Sequence, residues 1–251
     1  MLILALDTST PRSSVALLDS EQVVASATLG REQRHGEFIA PAIDFCLTHV
    51  GAQASDVSGV AVGVGPGLYT GLRIGIATAK VFAAARNLPV VGLSGLDVLA
   101  FNVRSSRRLI CAVIDARRRE VFWGMYRCSP GGVMREGELR VGSPDKLAGE
   151  ILASGEEVLL VGEGALRHRD QLPDTMTEFA TEEHAYPYAS AVGLLARPRF
   201  IREETQRPDE LEPIYLRRVD AKIGWEQRGR LRGGEAGQAH HGDDAVAGGL
   251  A

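Results

Sequence analysis

The sequence predicts a mixed α/β protein in which one lobe plan is used twice. Three observations predict it. Early in each half, connectors only a few residues long join three strands, which forces an antiparallel meander. After each meander the apolar spacing lengthens from two to about 3.6, so helices and strands alternate. The order strand-strand-strand-helix-strand-helix-strand-helix, read over residues 1–103, returns more weakly over 109–200.

The elements follow in order. Leu2 to Leu6 is an apolar strand that ends at Asp7; Ser14 to Leu18 follows the Thr10-Pro11-Arg12 turn, and Gln22 to Thr28 follows Asp19-Ser20-Glu21. From His35 to Val50, the residues Ile39, Ile43, Cys46 and Val50 are spaced by four, three and four, one face of a helix. Pro41 lies inside that stretch and removes a backbone donor, which predicts a bend or a late helix start. Val57 to Val64 is almost wholly apolar, the pattern of a strand buried on both faces. A glycine-rich loop leads into a helix over 70–86, which Asn87-Leu88-Pro89 breaks; Val90 to Leu93 is a strand and Ser94 to Val103 a helix.

In the second half, Leu109 to Ile114 and Glu120 to Arg127 are strands joined at Asp115-Ala116-Arg117, and Val133 to Val141 follows Pro130-Gly131-Gly132. Lys146 to Ala153 reads as helix, Val158 to Gly162 as strand and Ala189 to Ala196 as helix. The repeat is that of a ribonuclease-H-like lobe, with an N-terminal lobe over 1–105 and a C-terminal lobe over 106–218. Residues 219–251 differ in kind: eight glycines fall in 221–251 and no apolar period survives, so a disordered tail is expected. His240 and His241 in that tail could touch a metal but are read as idle.

Composition narrows the class. With 251 residues, 45% hydrophobic and 24% charged, the chain is globular and not a disordered polymer. No apolar run approaches the roughly 18–20 residues that span a bilayer. The apolar N-terminus lacks a basic flank and meets Asp7 early, so it is a strand and not a secretion signal. Cys46, Cys111 and Cys128 form an odd set without a CxxC pair, read as reduced thiols; a cytoplasmic protein with no membrane contact is expected. The net charge of -4 gives no global field for nucleic acid, so RNA contact would need a partner or a local patch. Arg117-Arg118-Arg119 is one such patch, either a solvated turn or a contact for RNA phosphate or an acidic protein surface.

The densest motif is Gly63-Val64-Gly65-Pro66-Gly67-Leu68-Tyr69-Thr70-Gly71-Leu72-Arg73-Ile74-Gly75, between a strand and a helix. Backbone N–H groups there could cradle an anion at positions such as Gly65 and Gly67. Yet there is no GK[ST], and the spacing GxGxxxG misses the dinucleotide fingerprint. The other reading is a tight turn with close helix packing. Gly71, Gly75, Ala79 and Ala83 recur every four residues, a stripe of small side chains on one helical face. Glycine in a helix costs on the order of 1 kcal/mol against alanine, so the stripe needs a reason. It would admit a close neighbour, either the helix 35–50 or a helix of another protein.

Asp7-Thr8-Ser9-Thr10 closes the first strand, and Asp115 ends its counterpart in the second lobe. Such a pair could face a metal-bound phosphate across a cleft; alternatively, Asp7 to Thr10 is a plain strand-end turn. There is no GxSxG and no HExxH, and no two histidines of the folded part stand at metal-ligand spacing. His35 and His49 read as polar surface or capping residues.

The motifs Asp7-Thr8-Ser9, Gly65 to Gly75, Ile114-Asp115-Ala116-Arg117, Val161-Gly162-Glu163-Gly164-Ala165 and Pro213-Ile214-Tyr215-Leu216-Arg217 occur in this order. The ordered set resembles the bacterial TsaB (YeaZ) family, over roughly residues 1–218. The resemblance implies the actin-like, Hsp70 ATPase (ASKHA) fold and a role in making N6-threonylcarbamoyladenosine at position 37 of tRNAs that read codons beginning with A. The catalytic relative, TsaD, carries a metal-binding HxxxH where this chain has Gly95 and Leu99, and neither can ligate a metal through its side chain.

The resemblance therefore implies a non-catalytic scaffold with no catalytic residue and no metal. It would dock on TsaD through its two N-terminal helices, with His35, Ile39, Ile43, Gly71, Gly75, Ala79 and Ala83 at the interface. The TsaE ATPase would join the larger complex, tRNA would be contacted mainly through the complex, and a homodimer is the arrangement when alone. No cofactor is expected on this chain; ATP belongs to the assembled complex, although Asp7, Thr8, Ser9, Gly65 and Gly67 would line any nucleotide site. The rivals are a free-standing ATPase or sugar kinase of the same fold and, with no metal or nucleophile motif behind it, a glycoprotease.

Overall fold

Two five-stranded mixed sheets, each built in the same strand order, carry the chain. The computed structural model describes residues 1–19, 22–30 and 34–217. The expected tail over 219–251 lies outside them. The first sheet holds β1 (Leu2–Asp7), β2 (Ser13–Asp19), β3 (Gln22–Leu29), β4 (Val57–Gly65) and β5 (Val90–Ser94). Their spatial order is β3-β2-β1-β4-β5. The β1–β2 and β2–β3 pairs are antiparallel, whereas β1–β4 and β4–β5 are parallel.

The second sheet holds β6 (Leu109–Arg117), β7 (Glu120–Ser129), β8 (Gly132–Gly142), β9 (Val158–Val161) and β10 (Thr177–Phe179), in the order β8-β7-β6-β9-β10. Here too the first three strands form an antiparallel meander and the last two run parallel to the central one. Reading each sheet from its meander edge gives 3-2-1-4-5 twice. This is the duplicated ribonuclease-H-like plan of the actin-like fold.

The helices are α1 (His35–His49), α2 (Tyr69–Ala84), α3 (Gly95–Asn102), α4 (Pro144–Ser154), α5 (Glu163–Arg167) and α6 (Ala189–Ile201). Their ends follow local chemistry. Ser94 caps α3 by accepting from Leu96 N, and Ser143 caps α4 by accepting from Lys146 N. Pro144 opens α4, and Gly155 closes it in a left-handed conformation. Pro41 does not delay α1, which begins at His35 and carries the proline on its exposed side, where the lost backbone bond faces water. Both α5 and β10 escaped the sequence reading; five and three residues are too short to show a period.

One apolar core lies between the first sheet and the α1–α2 layer, joining Leu4, Leu6, Val60 and Val62 to Ile39, Cys46, Ile76 and Ala79. The opposite face of that sheet, with Ile3, Ala5, Ala16 and Leu18, is covered by α6, whose Val192 and Ala196 join the same cluster. Sequence order puts α6 within the second lobe, yet it packs on β1, β2, β4 and β5. Ser14 Oγ accepts from Ala189 N at 2.8 Å where α6 begins. The chain then stays with the first sheet: Gln206 bridges Val90, Leu211 enters the first core, and Ile214 N donates to Val64 O at 2.8 Å.

Candidate functional site

The strand-end loop after β1 and the opening of α2 are pressed together without intervening side chains. Leu68 N donates to Ser9 O at 2.7 Å, and Thr8 Oγ1 donates to Gly71 O at 2.7 Å. A methyl group on Gly67 would stand 2.1 Å from Ser9 O, and one on Gly71 would stand 2.0 Å from Thr8 O. One on Gly75 would stand 2.3 Å from Thr8 Oγ1. These glycines are therefore required by close approach inside the lobe. Gly65 has φ +98, a left-handed conformation open to glycine, and precedes Pro66 across a cis bond.

Asp7 is fully buried at the end of β1. Its Oδ1 accepts from Ser9 N and from Ser9 Oγ, each at 3.0 Å, and Oδ2 lies 3.3 Å from Ser9 Oγ. Gly63 backs it so tightly that a Cβ there would come within 1.9 Å of Oδ2. Burial pushes the Asp7 carboxyl up to about 7, against the lowering effect of the Ser9 bonds.

The small-residue stripe faces the same interior. Gly71, Gly75, Ala79 and Ala83 are buried, as are Ile39 and Ile43 across from them. His35 is buried and hydrogen-bonded through Nδ1 to Ser13 Oγ at 2.6 Å. The spacing marked a close-packed seam, but the seam lies within the lobe, and these seven residues do not lie on the surface of the chain. The outer sides of the two helices carry other residues, which an apolar period does not mark because it follows the inward face. Phe45 on α1 is 49% exposed and Val81 on α2 is 71% exposed. Beside α1, a groove of about 530 Å³ is lined by Ala27, Leu29, Phe38, Pro41 and Phe45, among others.

At the equivalent strand end in the second sheet, Asp115 is buried within a charged cluster. Its Oδ1 lies 3.3 Å from His168 Nε2, and its Oδ2 lies 3.2 Å from an Arg167 guanidinium nitrogen and 3.8 Å from Arg117 Nε. Asp115 N donates to Glu163 Oε1 at 3.0 Å. Burial, with the Asp115 charge adding to it, pushes the Glu163 carboxyl up to about 7. Arg167 and His168 were missed in the sequence because α5 and the turn after it have no periodic frame. The hairpin beyond Asp115 is itself unusual: Arg117, Arg118 and Arg119 have φ of 61, 54 and 62.

An actin-like fold implies a metal-bound nucleotide phosphate between the two strand ends, and the residues present do not fit one. Asp7 is held by Ser9 and backed by Gly63, and Asp115 is held by His168, Arg167 and Arg117. Leu68 N, which an anion in the glycine loop would recruit, already serves Ser9 O. Thr10 Oγ1 is the one buried side-chain polar atom left without a partner among the described residues. Among the described residues no group of three or more His, Cys, Asp or Glu side chains could hold a metal ion. Gly95 sits against Ser9, Ile114 and Pro187, and Leu99 is fully buried in the apolar cluster with Leu96 and Ile114.

Comparison with known proteins bears on this arrangement. Residues 23–225 match the family model described as TsaD: tRNA N6-adenosine threonylcarbamoyltransferase. The tRNA threonylcarbamoyladenosine biosynthesis protein TsaB of Bacillus subtilis is 31% identical over 234 residues, 90% of this chain and 98% of that protein. The TsaB protein of Escherichia coli is 31% identical over 231 residues, with the same two coverages of 90% and 98%. Among solved structures, YeaZ from Pseudomonas aeruginosa superposes with a TM-score of 0.76 at 30% identity, covering 86% of this chain and 99% of that one.

Proposed function

The chain belongs to the TsaB (YeaZ) family, and from that premise we propose that it is the non-catalytic subunit that docks on TsaD in tRNA threonylcarbamoyladenosine synthesis. Its place in that biosynthesis follows from the family. The observation that carries the finer reading is the state of the two strand ends: both carboxylates are engaged by side chains of this chain, and the HxxxH positions are packed as Gly95 and Leu99. A phosphoryl- or carbamoyl-transfer site needs acids free to hold a metal or a proton in transit. No nucleotide is assigned to this chain, and ATP chemistry belongs to the assembled complex, with the TsaE ATPase as its further member.

The docking face is the outer surface of α1 and α2. Its support is the exposure of Phe45 and Val81 on helices whose inner faces are already committed to the core. The same apolar surface would pair two copies when TsaD is absent. A free-standing ATPase or sugar kinase is the weaker reading, since it requires Asp7 or Asp115 to be released from its protein partners.

The test combines this chain with purified TsaD, threonylcarbamoyl-adenylate and tRNA. Modified tRNA is expected only when both proteins are present, with a stable complex on gel filtration. Turnover by this chain alone, free of TsaD contamination, would overturn the assignment.

A further inference from the structure

We propose that the tip of the β6–β7 hairpin, Arg118 with Arg119, grips backbone phosphates of the tRNA substrate. The inference rests on the reading above and adds a direct RNA contact to it. Arg117 pairs with Glu120, so Arg118 and Arg119 form a two-residue loop, and the register shifts between Asp115 and Arg117. Loops of this length with two left-handed residues favour Asn-Gly, because a side chain at positive φ is strained. Here three consecutive arginines take that conformation. Such backbone persists where its surroundings impose it, and it marks sites where the side chains presented have a use.

The surroundings are on view. Arg117 N donates to Asp115 Oδ1 at 3.3 Å, the Arg117 guanidinium lies against Oδ2 of the same carboxylate, and Glu120 pairs with Arg217. Asp115 is buried and also holds Arg167 and His168, so the root of the hairpin is anchored. The next two guanidinium groups differ: among the described residues no hydrogen bond, ion pair or ring contact engages Arg118 or Arg119, and both are exposed. A rigid base thus presents two adjacent, unpaired cations to solvent on a chain whose net charge is -4.

The chemistry favours phosphate over protein. The tip reads Arg-Arg-Arg-Glu over 117–120 and offers no apolar side chain to form the dry centre of a protein interface. It has no aromatic ring on which a base could stack, so the contact reads backbone and not sequence. Guanidinium groups bind phosphate oxygens bidentately, and adjacent ones suit the successive phosphates of a polynucleotide.

The test replaces the loop by the residues its backbone prefers, Arg118→Asn with Arg119→Gly, which removes both cations without adding strain. The complex of this chain with TsaD is titrated with tRNA across a salt series. The variant is expected to melt no lower than the parent and to bind TsaD equally well. Its tRNA affinity should fall about tenfold near 0.1 M salt, and the slope of log affinity against log salt should shrink by about 1.5, as two lost phosphate contacts require. Unchanged tRNA affinity and slope would overturn the proposal. So would weakened association with TsaD at unchanged tRNA affinity, which would make the tip a protein contact. Failure of the parent chain to bind TsaD at all would instead overturn the functional reading, and this inference with it.

Discussion

Thr8 Oγ1 donates to Gly71 O at 2.7 Å, joining the loop after the first strand to the first turn of α2 across 63 residues of sequence. The bond is buried, and it exists because Gly71 has no side chain to hold the two backbones apart. It fixes where α2 starts, and with it the position of the whole outer helical layer on the sheet.

Two alanine substitutions should separate the parts of this contact. Gly71→Ala drives a methyl group into a backbone oxygen, which cannot rotate away. Gly75→Ala meets only the Thr8 hydroxyl, which can turn at the cost of its bond. Overpacking of this kind costs about 1–3 kcal/mol, and the Gly71 variant should sit at or above the upper end. Urea denaturation midpoints would reverse the argument if Gly75→Ala were the more damaging.

Charges placed two residues apart on α2 should have opposite consequences. Ala79→Glu buries an unpaired carboxylate in the core and should leave little folded protein. Val81→Glu lies on the exposed side and should melt within a few degrees of the parent while weakening TsaD binding on the scale of a lost hot spot, roughly 2–4 kcal/mol. Circular dichroism and calorimetric titration decide it. A Val81→Glu protein that binds TsaD at full strength removes this face from the interface.

The pH dependence of stability follows from Asp7 and Glu163, both raised to about 7 from ordinary values of 3.8 and 4.5. The folded protein keeps protons that the unfolded chain has released. The stability these groups contribute is therefore full below about pH 4, falls as pH climbs through the folded values near 7, and is flat beyond. Asp7→Asn cannot ionise and still offers an oxygen to Ser9 N. It should match the parent near pH 4 and exceed it at pH 8, by on the order of 1–3 kcal/mol. Parallel stability curves for the two proteins from pH 4 to 8 would refute this.

The thiols should divide by exposure. Cys128 is exposed, whereas Cys46 and Cys111 are buried, and burial raises both of those thiols. A thiol-specific disulfide reagent should titrate one group per native chain and three after denaturation. Two fast-reacting thiols in the native protein would mean that one of the cores opens readily.

The fold was legible wherever a period had room to repeat. Ile39, Ile43 and Cys46 announced α1, and the nearly continuous apolar run of β4 announced a strand buried on both faces. The site was legible as a set of residues but not as a direction. Glycines every four residues say that something comes close, and the sequence cannot say whether that is Thr8 of the same chain or a helix of another. Arg167 and His168 were invisible for a different reason. They reach Asp115 through a five-residue helix, and contacts between residues some 50 apart leave no local pattern. The placement of α6 on the first sheet was hidden too, because order along the chain suggested the second.

That placement has a consequence for how the protein is made. The first sheet leaves the ribosome well before the helix that covers one of its faces. Until residues 189–217 emerge, Ile3, Ala16, Leu18 and Ala61 lack the α6 side chains of their cluster, and β5 lacks its bridge to Gln206. The nascent N-terminal half must wait, sticky and incomplete, while the other half is synthesised. A chain truncated before α6 should therefore fail in its first half: release of a premature product would leave an exposed sheet for chaperones to hold, and no working fragment.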